Sequence, residues 1–196
     1  MDAIALLKAD HQTVEGLFKQ FEQAKEDDDE GRKAQLVERI SAELEVHAAI
    51  EEEIFYPRLK AKAEEDGKEL VAEAFEEHHL VKILLGELAG LGPDDEAFDA
   101  KASVLMDNVR HHVEEEESEL LPQAEQVLGQ EELVQLGQRM ATRKQQLLEQ
   151  PRPAGGAGGA ADRTKNELYE QAQRLGIHGR SRMTKEQLAK AVANKG

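Results

Sequence analysis

The chain has no cysteine. Disulfides, thiolate metal sites, iron–sulfur clusters and thiol catalysis are excluded, and any metal must be held by histidine and carboxylate. It has no tryptophan, and aromatic residues make up only 4% of its 196 positions. A core must then come from Leu, Val, Ile and Ala, as in a helical bundle. No apolar run approaches the roughly 18 residues of a membrane span. The opening MDAIALLKADH lacks the basic start and apolar stretch of a secretory signal. The expectation is a soluble, cytoplasmic protein with no membrane partner. Positive charge is scarce and unevenly placed. Residues 151–196 carry nine Lys/Arg against four Asp/Glu, a net of +5, and residues 1–150 carry sixteen against thirty-seven, a net of −21. An acidic body with a basic tail suggests two modules with different partners.

What is abundant is helix-forming. Charged residues are 34% and hydrophobic residues 39% of the chain, and Ala, Glu, Leu, Lys and Gln dominate. Ile4, Leu7, His11, Val14, Phe18 and Phe21 step by three and four along a first helix. Asp27-Asp28-Asp29-Glu30-Gly31 reads as a loop. A second helix carries Leu36, Ile40, Leu44, His47, Glu51 and Ile54, and Pro57 marks its kink or end. A third carries Val71, Ala74, His78, Val81, Leu85 and Leu88 and stops at Gly90-Leu91-Gly92-Pro93. A fourth carries Phe98, Leu105, Val109, His112, Glu116 and Leu120. A short fifth, about Gln130 to Glu149, is amphipathic. The fold class is all-α: an antiparallel up-down-up-down four-helix bundle with an extra helix over residues 1–150.

The chain also repeats itself. His47-Ala-Ala-Ile-Glu51 through Pro57 matches His112-Val-Glu-Glu-Glu116 through Pro122. Asp10-His11-x-x-Val14-x-x-Leu17 precedes the first copy, and Glu77-His78-x-x-Val81-x-x-Leu84 precedes the second. Every helix of the bundle thus carries a histidine on its apolar stripe, and two carry a glutamate four residues on, which shares the face. A buried unpaired carboxylate is costly. Two beside four imidazoles make sense around cations, and His with carboxylate suits iron or manganese, with zinc also compatible. Two ions could each take two histidines and share both glutamates. Each would then lack a full ligand set and leave room for a small ligand, whereas a structural ion is normally closed off. The candidate ligands are His11, His47, Glu51, His78, His112 and Glu116. His79 and His111 fall out of phase. Glu52, Glu53, Glu114, Glu115 and Glu117 are assigned to a solvated face, and Glu15 to the surface or to a supporting position.

The order His11, His47-x-x-x-Glu51, His78, His112-x-x-x-Glu116, with Asp10-His11, Tyr56-Pro57, Glu77-His78 and Leu121-Pro122 beside it, resembles the hemerythrin-like, or HHE cation-binding, domain over roughly residues 1–125. The resemblance implies a non-haem centre of two iron ions that binds or senses dioxygen, reacts with peroxide or nitric oxide, or handles iron. Oxygen carriers of that family have an additional histidine one turn along the third helix. Here Ala74 and Lys82 stand one turn either side of His78, so sensing, peroxide or nitric oxide chemistry, or iron buffering fits better than reversible carriage. A metal-stabilised interaction module is the alternative of a different class.

Beyond the bundle, Pro151-Arg152-Pro153-Ala154-Gly155-Gly156-Ala157-Gly158-Gly159 opens a flexible linker over 151–162. Thr164-x-x-Glu167 and Thr184-x-x-Gln187 are two capping boxes. Residues 163–196 resemble small helix-extended-helix modules of the SAP-like and Rho N-terminal type. The likeness implies sequence-independent binding of DNA or RNA phosphates by Arg180, Arg182 and Lys185 near a helix N-terminus. A solubilising tail or a protein-docking hairpin is the other reading.

Overall fold

The computed structural model describes residues 1–149 and, beyond them, Thr184, Gln187, Lys190 and Ala191. The chain divides into two units, Met1–Pro151 and Arg152–Gly196. In the described part of the first unit, α1 spans Ala3–Glu26 and α2 spans Glu30–Ile50. Helix α2 runs on through a π turn, Glu51–Phe55, into α3, Tyr56–Lys62. Helix α4 spans Glu65–Leu88. Helix α5, Glu96–Glu115, runs through a second π turn, Glu116–Leu120, into α6, Leu121–Leu128. Helix α7 spans Gln130–Glu149. Three helices start on an aspartate whose carboxylate accepts a free backbone N–H: Asp2 from Ala5, Asp29 from Arg32 and Asp95 from Ala97. Gly129, at φ +71°, closes α6 in a conformation that a side chain would strain.

The core fixes the topology. One apolar cluster joins the last turns of α1 (Leu17, Phe18, Phe21) to the first turns of α2 (Leu36, Ile40), the last of α4 (Leu84, Leu85, Leu88) and the first of α5 (Phe98, Leu105). The other cluster joins the start of α1 (Ala3, Leu6, Leu7) to Ile50, Phe55, Tyr56 and Leu59, to Val71 and Ala74 at the start of α4, and to Leu120, Leu121 and Ala124. Ends therefore alternate, and the four long rods form the expected up-down-up-down bundle. Helix α7 lies against α1 and α2. It comes so close that a Cβ on Gly137 would stand 2.5 to 2.7 Å from the backbone of Met1, Asp2 and Ala3. No helix among the described residues is long and apolar enough to cross a membrane.

The structure departs from the sequence reading at the prolines. Pro57 does not end its helix, and neither does Pro122. A proline ring normally collides with the carbonyl one turn back. Here the turn before each proline is widened: the Tyr56 N–H bonds to the Glu51 carbonyl, and the Leu121 N–H to that of Glu116. The wider turn moves the buried face by one residue. Glu51 and Tyr56, five apart, are both fully buried, and so are Glu116 and Leu121.

Candidate metal centre

Between the two apolar clusters lies a polar layer. His11 falls between Leu7 and Val14 on α1, His47 follows Leu44 on α2, His78 falls between Ala74 and Val81 on α4, and His112 follows Val109 on α5. Glu51 and Glu116 sit at the first positions of the two π turns. None of the six is more than 6% exposed. The i, i+4 spacing puts His47 Nε2 3.2 Å from Glu51 Oε2. Across the bundle, His11 Nε2 is 3.1 Å from Glu116 Oε2 and His78 Nε2 is 3.3 Å from Glu51 Oε2. His11, His47, Glu51 and Glu116 offer ligand atoms all within 4.8 Å of one another, and so do Glu51, His78 and His112. Glu51 belongs to both groups.

Three of the four rings are also held from outside, and the fourth, His47, lies beside a carboxylate without a hydrogen bond to it. His11 Nδ1 donates to Glu117 Oε1 at 2.7 Å, His78 Nδ1 to Glu52 Oε1 at 2.9 Å and His112 Nδ1 to Glu77 Oε2 at 2.7 Å. His47 Nδ1 lies 3.6 Å from Asp10 Oδ2. These carboxylates only accept, so the Nδ1 atoms carry the protons and the Nε2 lone pairs face inward. The consequence is sharpest for His78 and His112, whose Nε2 atoms stand 3.2 Å apart. If either donated to the other, its Nδ1 would present a lone pair to a carboxylate. Two lone pairs at this distance repel unless a metal ion lies between them or one ring carries a second proton. Two nitrogens bound at about 2.1 Å to one ion would sit roughly 3 Å apart.

The buried polar atoms say the same. His11 Nε2, His47 Nε2, both oxygens of Glu51 and Glu116 Oε2 have no hydrogen-bond partner, in a core where such groups are normally satisfied. Unpartnered inward-facing nitrogens and carboxylate oxygens are a donor set that could hold a metal ion.

Packed into one buried layer, these groups shift one another's protonation. Burial, followed by repulsion from Glu116, pushes the Glu51 carboxyl well above the usual range. Glu116 is depressed instead: burial would raise it, but the His11 ring 3.1 Å away and the nearby His112 outweigh that. Burial and then His112 bring His78 down to about 4, and burial also lowers His47. His11 is raised, because its bonds to Glu116 and Glu117 overcome its burial. Burial and the neighbouring Glu51 hold the Tyr56 hydroxyl protonated, and it donates to Glu116 Oε1 at 3.2 Å. The repeat places Leu121 opposite Tyr56, so this hydroxyl serves one half alone.

All six ligand candidates are thus brought together. His79 is exposed, the His111 side chain is 66% exposed, and Glu15 pairs with Arg110 on the surface. The assignment of the other glutamates needs correction. Glu52, Glu117 and Glu77 orient histidines, and Asp10 lies 3.6 Å from His47. Their signal was in the repeat: Asp10 and Glu77 each precede a matched histidine, and Glu52 and Glu117 each follow a matched glutamate. Arg180, Arg182 and Lys185, the first capping box and the linker lie outside the described residues. The second capping box is formed: the Thr184 N–H donates to Gln187 Oε1 at 2.9 Å, and the Gln187 N–H to Thr184 Oγ1 at 3.3 Å.

Comparison with known proteins agrees with this geometry. The family model described as Hemerythrin HHE cation binding domain matches residues 2–124. A crystal structure of a hemerythrin HHE cation-binding domain-containing protein from Mycobacterium kansasii superposes with a TM-score of 0.67 at 22% identity, over 97% of this chain and 99% of that one. An uncharacterised hemerythrin-like protein of Schizosaccharomyces pombe is 32% identical over 90 residues, 46% of this chain and 44% of that protein. A protein of a Nostoc species named DNA nickase is 30% identical over 156 residues, 79% of this chain and 42% of that one. The chain thus spans under half the length of these last two relatives.

Proposed function

Because the chain belongs to the hemerythrin HHE cation-binding domain family, we propose that its first unit holds two iron ions and binds a small oxidant: dioxygen, peroxide or nitric oxide. His11, His47, Glu51, His78, His112 and Glu116 would hold the ions. The observation that carries the reading is the convergence of unpartnered Nε2 and carboxylate atoms in a buried layer between two apolar clusters. When bound, the iron pair supplies the redox and ligand-binding chemistry. The chain supplies the rest. The outer carboxylates fix the ring orientations and keep the Nδ1 protons in place. The apolar clusters keep bulk water away. Tyr56 presents a hydroxyl that keeps its proton at neutral pH and donates at Glu116. Six protein ligands across two ions leave positions for a diatomic or peroxide ligand, which favours sensing or consuming an oxidant over a purely structural ion.

Elemental analysis of protein produced with iron supplied tests this. About two irons per chain and a visible spectrum that changes on adding peroxide or nitric oxide are expected. One zinc, or no metal, in folded protein would overturn it. Two irons with a spectrum unmoved by every oxidant would favour iron buffering or a metal-stabilised interaction module. For the second unit we propose weak, sequence-independent nucleic-acid binding through Arg180, Arg182 and Lys185, in keeping with its charge and with the Nostoc relative's name.

A further inference from the structure

We propose that Glu77, His111 and Glu115 form a surface site for a divalent first-row transition-metal ion, touching the buried layer only through the Glu77 carboxylate that accepts from His112. Glu77 stands on α4, and His111 and Glu115 lie one turn apart on α5. Their ligand atoms all fall within 4.8 Å of one another. His111 Nε2 is 3.4 Å from Glu115 Oε1, and those two side chains are 66% and 46% exposed. Ligands bound at about 2.1 Å sit roughly 3 to 3.5 Å apart around an ion, and exposed side chains close that gap by small rotations. One imidazole with two carboxylates is a donor set for zinc, manganese or ferrous iron rather than for magnesium.

The internal repeat supplies an independent reason. Asp10 and Glu77 are equivalent positions, and each lies against the Nδ1 side of a buried histidine, His47 and His112. In the first half a protein cation completes the arrangement. Lys144 on α7 donates to Asp10 Oδ1 at 2.6 Å and stands 3.8 Å from Glu43. Helix α7 lies on α1 and α2, and among the described residues no helix plays its part over α4 and α5. The positions equivalent to His111 and Glu115 in the covered half are Val46 and Ile50, both buried. In the open half they are metal-binding types instead. There Glu77 and Glu115 touch each other, and Glu73 adds a further negative charge. Among the described residues, the ion-pair partners of Glu77 and Glu115 are the imidazoles of His112 and His111. One half neutralises this carboxylate with a lysine. The other half presents it, with two more donors, to an ion from solution.

The test uses the full chain with its buried iron in place, dialysed against zinc. Wild type should retain one more zinc per chain than the His111→Ala/Glu115→Gln variant, with iron content and visible spectrum the same in both. Glu26→Gln/Glu30→Gln, which removes two exposed acids elsewhere, should bind zinc as wild type does. Equal zinc in wild type and His111→Ala/Glu115→Gln would refute the site. So would an equal loss in the Glu26→Gln/Glu30→Gln control, because the binding would then be diffuse attraction to an acidic surface.

Discussion

Glu51 and Glu116 are the same residue at matched positions of a repeat, yet their carboxyls are displaced in opposite directions. The difference lies in what faces each. Glu116 accepts from the Tyr56 hydroxyl and has the His11 ring 3.1 Å from its other oxygen, whereas Glu51 faces Glu116 itself with both oxygens unpartnered. In metal-free protein this sets a pH dependence. His78 titrates near 4 in the fold and at about 6.5 in the unfolded chain. Between those values the unfolded chain takes up a proton that the fold refuses, so stability falls as pH falls, by up to about 1.4 kcal/mol per unit. Glu51 acts at the other end. Its folded value is raised, so its contribution is present below the ordinary carboxyl range and is lost as pH rises through the raised value. Glu51→Gln should therefore make the metal-free protein more stable than wild type at pH 8, a gain that vanishes near pH 4, while abolishing retention of the metal pair. Urea melts of chelator-treated protein measure this, and a variant no more stable than wild type at pH 8 would contradict it. The outer carboxylates give a second prediction. Glu117→Ala frees the His11 ring and should weaken metal binding by about 10- to 100-fold. Glu53→Ala should not, because Glu53 only pairs with Arg143 on the surface. Competition against a coloured chelator separates them, and equal affinities would remove the orienting role from Glu117.

At the scale of the helices, the apolar stripes and the duplicated His-x-x-x-Glu spacing made the bundle and its six inward-facing groups legible in the sequence, because three- and four-residue steps map directly onto a helix face. Two things were not legible. A π turn has no simple sequence period, so Pro57 read as a kink or an end, when in fact the widened turn ahead of it, as ahead of Pro122, lets the helix continue and brings Tyr56 and Leu121 inward. The outer carboxylates were hidden for a different reason. A glutamate beside a ligand lies off the apolar stripe, where solvated glutamates also lie, and only the pairing across helices tells them apart. Helix α7 was expected as an amphipathic appendage, but its closeness to the start of α1 depends on Gly137, whose role no periodicity displays. Gly137→Val would press a side chain into the backbone of Asp2 and Ala3 and lift α7, with the Lys144–Asp10 contact behind His47. A loss of about 1–3 kcal/mol is expected from such overpacking. Thermal melts should show it, and an unchanged midpoint would mean that α7 is more loosely docked than the distances say.

Across the whole molecule charge is the organising quantity. A body of net −21 should repel nucleic acid, and a tail of net +5 is proposed to attract it. The Thr184–Gln187 capping box is formed, and Arg180, Arg182 and Lys185 lie outside the described residues. If the tail is the nucleic-acid-binding module, the full chain should bind duplex DNA or RNA at about 50 mM salt with little sequence preference, and the affinity should fall steeply toward about 200 mM as released counterions lose their advantage. Removing residues 151–196 should abolish the binding and leave iron content and visible spectrum as they were, because every ligand candidate lies in the first unit. Arg180→Glu with Arg182→Glu should weaken binding in the intact chain at every sequence tested, since phosphate contacts position a protein without reading bases. Fluorescence anisotropy across a salt series decides the matter. Affinity that persists in the truncated chain would place the contact on the acidic body, against its charge. No affinity in the full chain at low salt would return the tail to a solubilising or protein-docking role.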